Sequence, residues 1–183
     1  QFIHRGFEAD NVPNNLMGFQ HAASGKAYVG VFAYRVKKKY QNTSYSREFI
    51  QVNLKEPLKK GCRYHFFMMA SLAEKSYYAI NGLGAYLSKS PVIVTDAEQV
   101  KKYKPQVKYN GNGFLENDRK WATIEGDYLA MGGEQYLVIG NFSDEKAGRK
   151  GVYTGVDPVN KQISDSYAYY YIDNTQLIPL DTA

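Results

Sequence analysis

Apolar and polar residues alternate at short intervals along this chain, and this pattern predicts β-strands. The clearest alternating segments are residues 27–34, 46–54, 63–72, 121–131, 135–142 and 167–177, with a shorter one at 82–88. No segment keeps a 3.6-residue apolar period over three turns, so helix is expected only as one or two turns within 96–103. Short strands separated by turns predict an antiparallel β-sandwich.

The segment 46–54 shows how the alternation assigns side chains to faces, because successive side chains of a strand point to opposite sides of the sheet. The side that we expect to face the core carries Ile50, Val52 and Leu54. The outer side carries Arg47, Phe49 and Gln51. Residues 63–72 are apolar on both sides, which is typical of a central strand covered on both faces.

The last third of the chain has the order of motifs expected at the end of a jelly-roll sandwich. Trp121 opens a strand, where an aromatic residue is typical of the core. A double glycine then precedes Glu134, which we expect to serve the turn, and the final strand carries Asp173 just after its most apolar stretch. We therefore predict that residues 1–183 form one domain of the all-β class, an antiparallel jelly-roll β-sandwich.

The composition is that of a globular protein with a high share of aromatic residues. Apolar residues make up 44% and aromatic residues 15%, and 17 residues are tyrosines. Tyrosine combines an apolar ring with a polar hydroxyl, so it suits half-buried strands as well as surfaces that bind sugar or protein. We expect most of these tyrosines to be structural, because the aromatic residues of strands usually pack.

The chain is basic, with a net charge of +5. The excess lies in short runs near residues 35–39, 101–108 and 146–150. No helix-turn-helix, zinc-finger or RNP-like motif accompanies these runs, so solvated loops are the preferred interpretation and no nucleic-acid partner is predicted. No apolar stretch reaches the length that predicts a transmembrane segment.

The cysteine content and the first residue bear on the compartment. With Cys62 as the one cysteine, no disulfide can form within the chain. This is typical of cytosolic proteins, but large exported β domains also lack disulfides. The chain begins at Gln1 and not at Met, which fits a mature exported protein or a trimmed chain.

A series of motifs resembles a domain common in exported Bacteroidetes proteins, where it often precedes an OmpA-like peptidoglycan-binding module or a sorting signal for type IX secretion. The motifs lie in order at residues 6–8, 12–15, 24–30, 46–52, 71–74, 84–88, 132–134 and 140–142. The resemblance implies a galactose-binding-like jelly roll, similar to many carbohydrate-binding modules. It also implies an exported protein at the cell surface, at the outer membrane or in the periplasm. Related sequences usually place some tens of residues between Glu8 and Val12, and this chain does not.

The resemblance also implies one structural calcium ion between the first and last strands. Glu8 and Asp173 would supply carboxylate oxygens, and backbone carbonyls around Ser24 and Lys26 would complete the shell. Calcium prefers six to eight hard oxygen ligands of this kind. The alternative is that both carboxylates lie at sheet edges and face solvent.

A ligand-binding face is predicted from aromatic residues that lie beside amide and guanidinium groups. The residues concerned are Arg47, Phe49 and Gln51 on the outer side of one strand, and Tyr77, Tyr78 and Asn81 in a loop. Aromatic rings stack on the apolar faces of sugars, while polar groups bind the hydroxyls. The alternative is that Phe49 packs under a loop and that the two tyrosines cap a sheet edge.

Catalysis finds little support in the sequence. His4, His21 and His65 lack metal-ligand spacing, and no Gly-x-Ser-x-Gly motif is present. The prediction is a non-catalytic recognition module that binds carbohydrate. The alternative is an accessory subunit that docks on a protein of the cell envelope, because basic loops and many tyrosines suit either role.

Overall fold

The computed structural model describes residues 11–39, 42–94, 97–143, 149–151 and 165–180. These ranges contain thirteen strands and one short helix, α1 (Ala97–Val100). The first seven strands are β1 (Asn14–Asn15), β2 (Gly18–Phe19), β3 (Val29–Lys39), β4 (Asn42–Ser46), β5 (Phe49–Asn53), β6 (Arg63–Leu72) and β7 (Tyr78–Ile80). The remaining six are β8 (Leu83–Ser88), β9 (Val107–Lys108), β10 (Ala122–Leu129), β11 (Tyr136–Asn141), β12 (Arg149–Gly151) and β13 (Asp165–Pro179).

Two antiparallel sheets make up the sandwich. The five-stranded sheet has the order β10-β6-β13-β3-β4, and the four-stranded sheet has the order β5-β11-β8-β9. If β4 is set aside and the eight remaining strands of these two sheets are renumbered 1–8 along the chain, the orders become 6-3-8-1 and 2-7-4-5. This exchange of strands between two sheets is the jelly-roll arrangement, so the predicted fold class is confirmed.

The core lies between the sheets and is built from the inward side of each strand. Phe66, Met68 and Leu72 of β6 are fully buried. They meet aliphatic side chains of the four-stranded sheet, such as Leu83 and Ile139, in one continuous cluster. The position of β6 between β10 and β13 confirms its predicted central place in the sheet, but its outer side is not fully covered, because the His65 side chain is 31% exposed.

The predicted faces of β5 are correct, but its burial is incomplete. Ile50 and Leu54 pack against the core as expected. Val52 points the same way, yet its side chain is 47% exposed. The reason is that β5 lies at the edge of its sheet and has a strand partner on one side only.

Two predictions from the sequence are wrong. Trp121 does not join the core cluster but lies half-buried on the outer face of the five-stranded sheet, where its indole N–H donates to the carbonyl of His21. The loop predicted at 73–81 contains β7, which pairs with β12. Alternation shows which residues share one side of a strand, but it does not show which side faces the core.

Candidate ligand-binding surface

A row of four aromatic rings crosses the outer face of the four-stranded sheet. We define the aromatic row as Phe49, Phe142, Tyr86 and Tyr103. Neighbouring ring centroids are 5.4 Å apart for Phe49 and Phe142, 6.2 Å for Phe142 and Tyr86, and 5.4 Å for Tyr86 and Tyr103. All four side chains are half-buried, so the row combines fixed packing with exposed ring surface.

The row depends on a glycine in the neighbouring strand. Gly140 of β11 pairs with Phe49 of β5, and the phenyl ring lies across this position. A Cβ atom at Gly140 would overlap Cδ1 of Phe49. Only a residue without a side chain therefore leaves room for the Phe49 ring at this position, where it contacts Phe142.

Arg47 fixes the end of β11 beside this row. Its Nη1 donates to the carbonyl oxygens of Asn141 and Ser143, at 2.9 Å each. Because these two residues flank Phe142, the guanidinium sets the backbone that positions the Phe142 ring. Arg47 and Phe49 thus lie together, as the sequence predicted, and the structure adds Phe142 as their neighbour.

Gln51 serves to attach a covering segment. Its Oε1 accepts a hydrogen bond of 2.7 Å from the backbone N–H of Val92. Val138 neighbours Gln51 across the sheet and points outward, yet it is only 1% exposed. The chain between β8 and β9 therefore covers the middle of the outer face, and the aromatic row borders this cover.

Tyr77 and Tyr78 lie apart from the row. Their rings contact each other edge-on at 4.8 Å, and Tyr78 also contacts the fully buried Tyr34 at 5.4 Å. This placement favours the alternative in which the two tyrosines pack at a sheet edge. Asn81, in contrast, precedes Gly82, whose carbonyl accepts from the N–H of Phe142, so Asn81 approaches the same strand end as Arg47.

A second aromatic cluster covers the outer face of the five-stranded sheet. We call it the tyrosine ladder, and its members are Tyr167, Phe32, Tyr169, Tyr171, Tyr28 and Trp121. Asn15 donates to the hydroxyl of Tyr28 and accepts from that of Tyr171, at 2.9 Å each. Burial raises the pKa of both tyrosines. Because the polar atoms of Tyr28, Tyr171 and Trp121 bind the 11–21 segment, this end of the ladder is structural packing.

The tyrosine ladder is not predicted as a unit by the sequence, although Tyr167, Tyr169 and Tyr171 alternate along one strand. This alternation could have identified these three tyrosines as one side of the ladder. The partners Tyr28 and Phe32 could not have been assigned, because the pairing of β13 with β3 contains a bulge at Ala168 and Tyr169. A bulge shifts the register and cannot be read from residue spacing.

The carboxylate of Asp173 accepts hydrogen bonds from three backbone N–H groups. Its Oδ2 accepts from the N–H groups of Ala23 and Ser24, at 2.7 and 3.0 Å, and its Oδ1 accepts from the N–H of Asn174 at 2.6 Å. Donors rather than carbonyl oxygens thus face this carboxylate from the 23–26 loop, which also contains Lys26. Glu8 lies outside the described residues, and calcium stays a prediction.

The outer face of the five-stranded sheet also holds an exposed His–Asp pair. Nδ1 of His65 lies 2.7 Å from Oδ1 of Asp127, and Nε2 lies 3.6 Å from Oε2 of Glu125. The hydrogen bond to Asp127 raises the pKa of His65 above its ordinary value. Within the described ranges, no three His, Cys, Asp or Glu side chains are arranged to hold a metal ion.

Comparison with known proteins finds a weak similarity to solved structures. No protein-family model and no curated protein matches the chain. One similar solved structure is the CBM22-1 xylan-binding domain of Xyn10C from Paenibacillus barcinonensis, with a TM-score of 0.46 and 14% identity over 90% of this chain and 79% of that one. The assignment as a jelly roll rests on the strand order. In the part of the chain that the structure describes, no helix has the length and apolar character to cross a membrane.

Proposed function

We propose that this protein is a non-catalytic module that recognises carbohydrate through the aromatic row. The observation that carries the proposal is the contact of Phe49, Phe142, Tyr86 and Tyr103 in an unbroken series across one sheet face. Aromatic rings that are held on a rigid sheet can contact the apolar faces of successive sugar units with little loss of side-chain freedom.

Polar groups beside the row suit sugar hydroxyls. Asn53 lies on the outward side of β5, as Phe49 does, and Asn81 lies near the end of β11. Amide side chains donate and accept hydrogen bonds, which sugar hydroxyls require. On the resemblance of the sequence, we place this recognition at the cell envelope of an exported protein.

The experiment is binding of the purified protein to a glycan panel that includes peptidoglycan, capsular polysaccharides and xylan. We expect saturable binding to at least one glycan, and a loss of about tenfold or more in affinity for Phe142→Ala and Tyr86→Ala, since truncation of an aromatic residue at the centre of a binding surface costs about 2 kcal/mol or more. Tyr45→Ala is the matched control, because Tyr45 is a 43% exposed tyrosine on the other sheet. Absence of binding by a folded wild-type protein would reject the proposal.

Protein docking is the second candidate function, and an exposed apolar patch favours it. Leu129 pairs with Arg63 across the sheet, and the N–H of Leu180 donates to the Arg63 carbonyl on its other side. Leu129 is 61% and Leu180 48% exposed, and Ile178, at 46%, lies in the next row beside His65. If a partner protein binds this patch, Leu129→Asp should abolish its binding and Phe142→Ala should leave its binding unchanged. The opposite result would assign that partner to the aromatic row.

A further inference from the structure

A crevice of about 370 Å³ opens between the two sheets on the side where β5 forms the edge. Its walls are aliphatic side chains from both sheets. The four-stranded sheet contributes Ile50, Val52 and Ile139, and the five-stranded sheet contributes Val29, Ile172 and Leu177. This volume lies within the range of about 300–1,000 Å³ that is typical of small-molecule sites in proteins.

Two valines at the crevice point inward but remain exposed. Val29 lies on the same side of β3 as the buried Val31, and it is 46% exposed. Val52 lies on the same side of β5 as Ile50 and is 47% exposed. Both side chains occupy core-facing positions without a covering strand, so a ligand that covered them would remove apolar surface from water.

Four polar residues also belong to the lining of the crevice. They are Asn53, Lys55, Thr175 and Gln176, and among the described residues Lys55 alone brings a formal charge to the lining. Asn53 and Lys55 flank Leu54 at the end of β5, and Thr175 and Gln176 belong to β13. The lining therefore combines aliphatic walls with one exposed, positively charged residue.

We propose that this crevice binds an amphipathic carboxylate, namely an acyl chain whose carboxylate lies beside Lys55. The aliphatic walls would contact the acyl chain, and the ammonium group of Lys55 would attract the carboxylate. A sugar does not fit this site, because its hydroxyls would lose hydrogen bonds to water without gaining partners among aliphatic side chains. The crevice is therefore separate from the aromatic row, which lies on the outer face of the four-stranded sheet.

The test is titration of the whole chain with octanoate and with 1-octanol, followed by calorimetry and by amide chemical shifts. We expect saturable octanoate binding with shifts at Val29, Val52 and Ile172. Val52→Glu should weaken binding of both ligands about tenfold or more, because it places a carboxylate at the mouth of an apolar site. Val52 is half exposed, so this variant should remain folded, which a melting curve verifies.

Matched variants distinguish the contribution of the acyl chain to affinity from that of the carboxylate head group. Leu129→Glu makes the same change at an exposed residue of the opposite sheet edge and should leave binding unchanged. Lys55→Gln should weaken octanoate binding about two- to fivefold and leave 1-octanol unaffected, whereas Lys59→Gln should change neither. Lack of saturable octanoate binding, equal effects of the two Glu variants, or an unchanged octanoate affinity in Lys55→Gln would each overturn the proposal.

Discussion

The hydroxyl of Tyr128 donates a hydrogen bond of 2.7 Å to Oε1 of Glu134, across the turn that joins the two sheets. The same carboxylate accepts from the N–H groups of Met131 and Gly132, at 2.9 and 3.0 Å. Glu134 is only 3% exposed. Gly132 and Gly133 both have a φ of 90°, a conformation that other residues rarely adopt. The prediction that Glu134 serves a turn is therefore confirmed, and the turn is organised around a buried anion.

The first prediction concerns the pH dependence that this anion creates. Burial acts to raise the pKa of Glu134, but the hydrogen bonds from Tyr128 and the backbone outweigh it and lower the pKa below its ordinary 4.5. A lowered pKa in the folded state contributes stability above the unfolded-state value, and this stability is lost as pH falls through the folded-state pKa. Glu134→Gln should reduce the free energy of unfolding by about 1–3 kcal/mol at neutral pH and reduce its acid dependence. Urea unfolding from about pH 7 to about pH 3 measures both.

Tyr128→Phe is the control for this prediction, because it removes one donor and keeps the ring. Burial and the bond to Glu134 raise the pKa of Tyr128 to about 12, so its hydroxyl stays protonated and donates throughout the range. We expect a loss of about 1 kcal/mol and a smaller loss in the Glu134→Gln background. Equal losses in both backgrounds would show that the two side chains do not interact.

The second prediction tests the packing of the aromatic row. Gly140→Ala places a Cβ atom against the Phe49 ring, which must then move away from Phe142. We expect a loss of about 1–3 kcal/mol of stability, and weaker glycan binding if the row is the site. The cost of Gly140→Ala should fall when Phe49 is also replaced by alanine. Additive costs in the double variant would show that Phe49 does not limit this position.

The sequence predicted β6 with its bounds because residues 63–72 form a long apolar stretch between two polar segments, and their inner side is wholly apolar. It did not predict β4, since Asn42–Ser46 is polar and pairs only at the edge of a sheet. Edge strands bury little surface, so their sequences carry little alternation. The face of Arg47 and Phe49 was also predicted from alternation.

The aromatic residues that join Phe49 from other strands could not be predicted. Phe142 and Tyr86 reach Phe49 through the antiparallel pairing of β11 with β5 and β8, which joins residues far apart in the chain. Tyr77 and Tyr78 were assigned to the ligand face on composition alone. Tyr78 packs on Tyr34, and it lies in β7, a strand whose pairing with β12 no local signal indicates.

The third prediction concerns His65 and Asp127. A hydrogen bond raises the pKa of His65, so the contribution of this pair to stability is present below the unfolded-state pKa and is lost as pH rises through the folded-state value. Both side chains are partly exposed, so the effect on stability should be small. NMR titration should give a His65 pKa above 6.5 that returns toward 6.5 in Asp127→Asn. Glu125→Gln, at the longer distance of 3.6 Å, should lower it less.

The last prediction separates two roles of Asp173. Its carboxylate joins the 23–26 loop to β13 through the N–H groups of Ala23 and Ser24. Asp173→Ala should therefore reduce the free energy of unfolding by about 1–3 kcal/mol in EDTA, where no metal contributes. A calcium ion between the first and last strands would in addition raise the melting temperature with calcium concentration, because ligands that bind only the folded state stabilise it by mass action. Thermal melts in calcium, magnesium and EDTA distinguish the two. A rise in melting temperature with calcium that Asp173→Ala abolishes would support a calcium site. Equal melting temperatures in calcium and in EDTA would leave Asp173 as a hydrogen-bond acceptor for the loop.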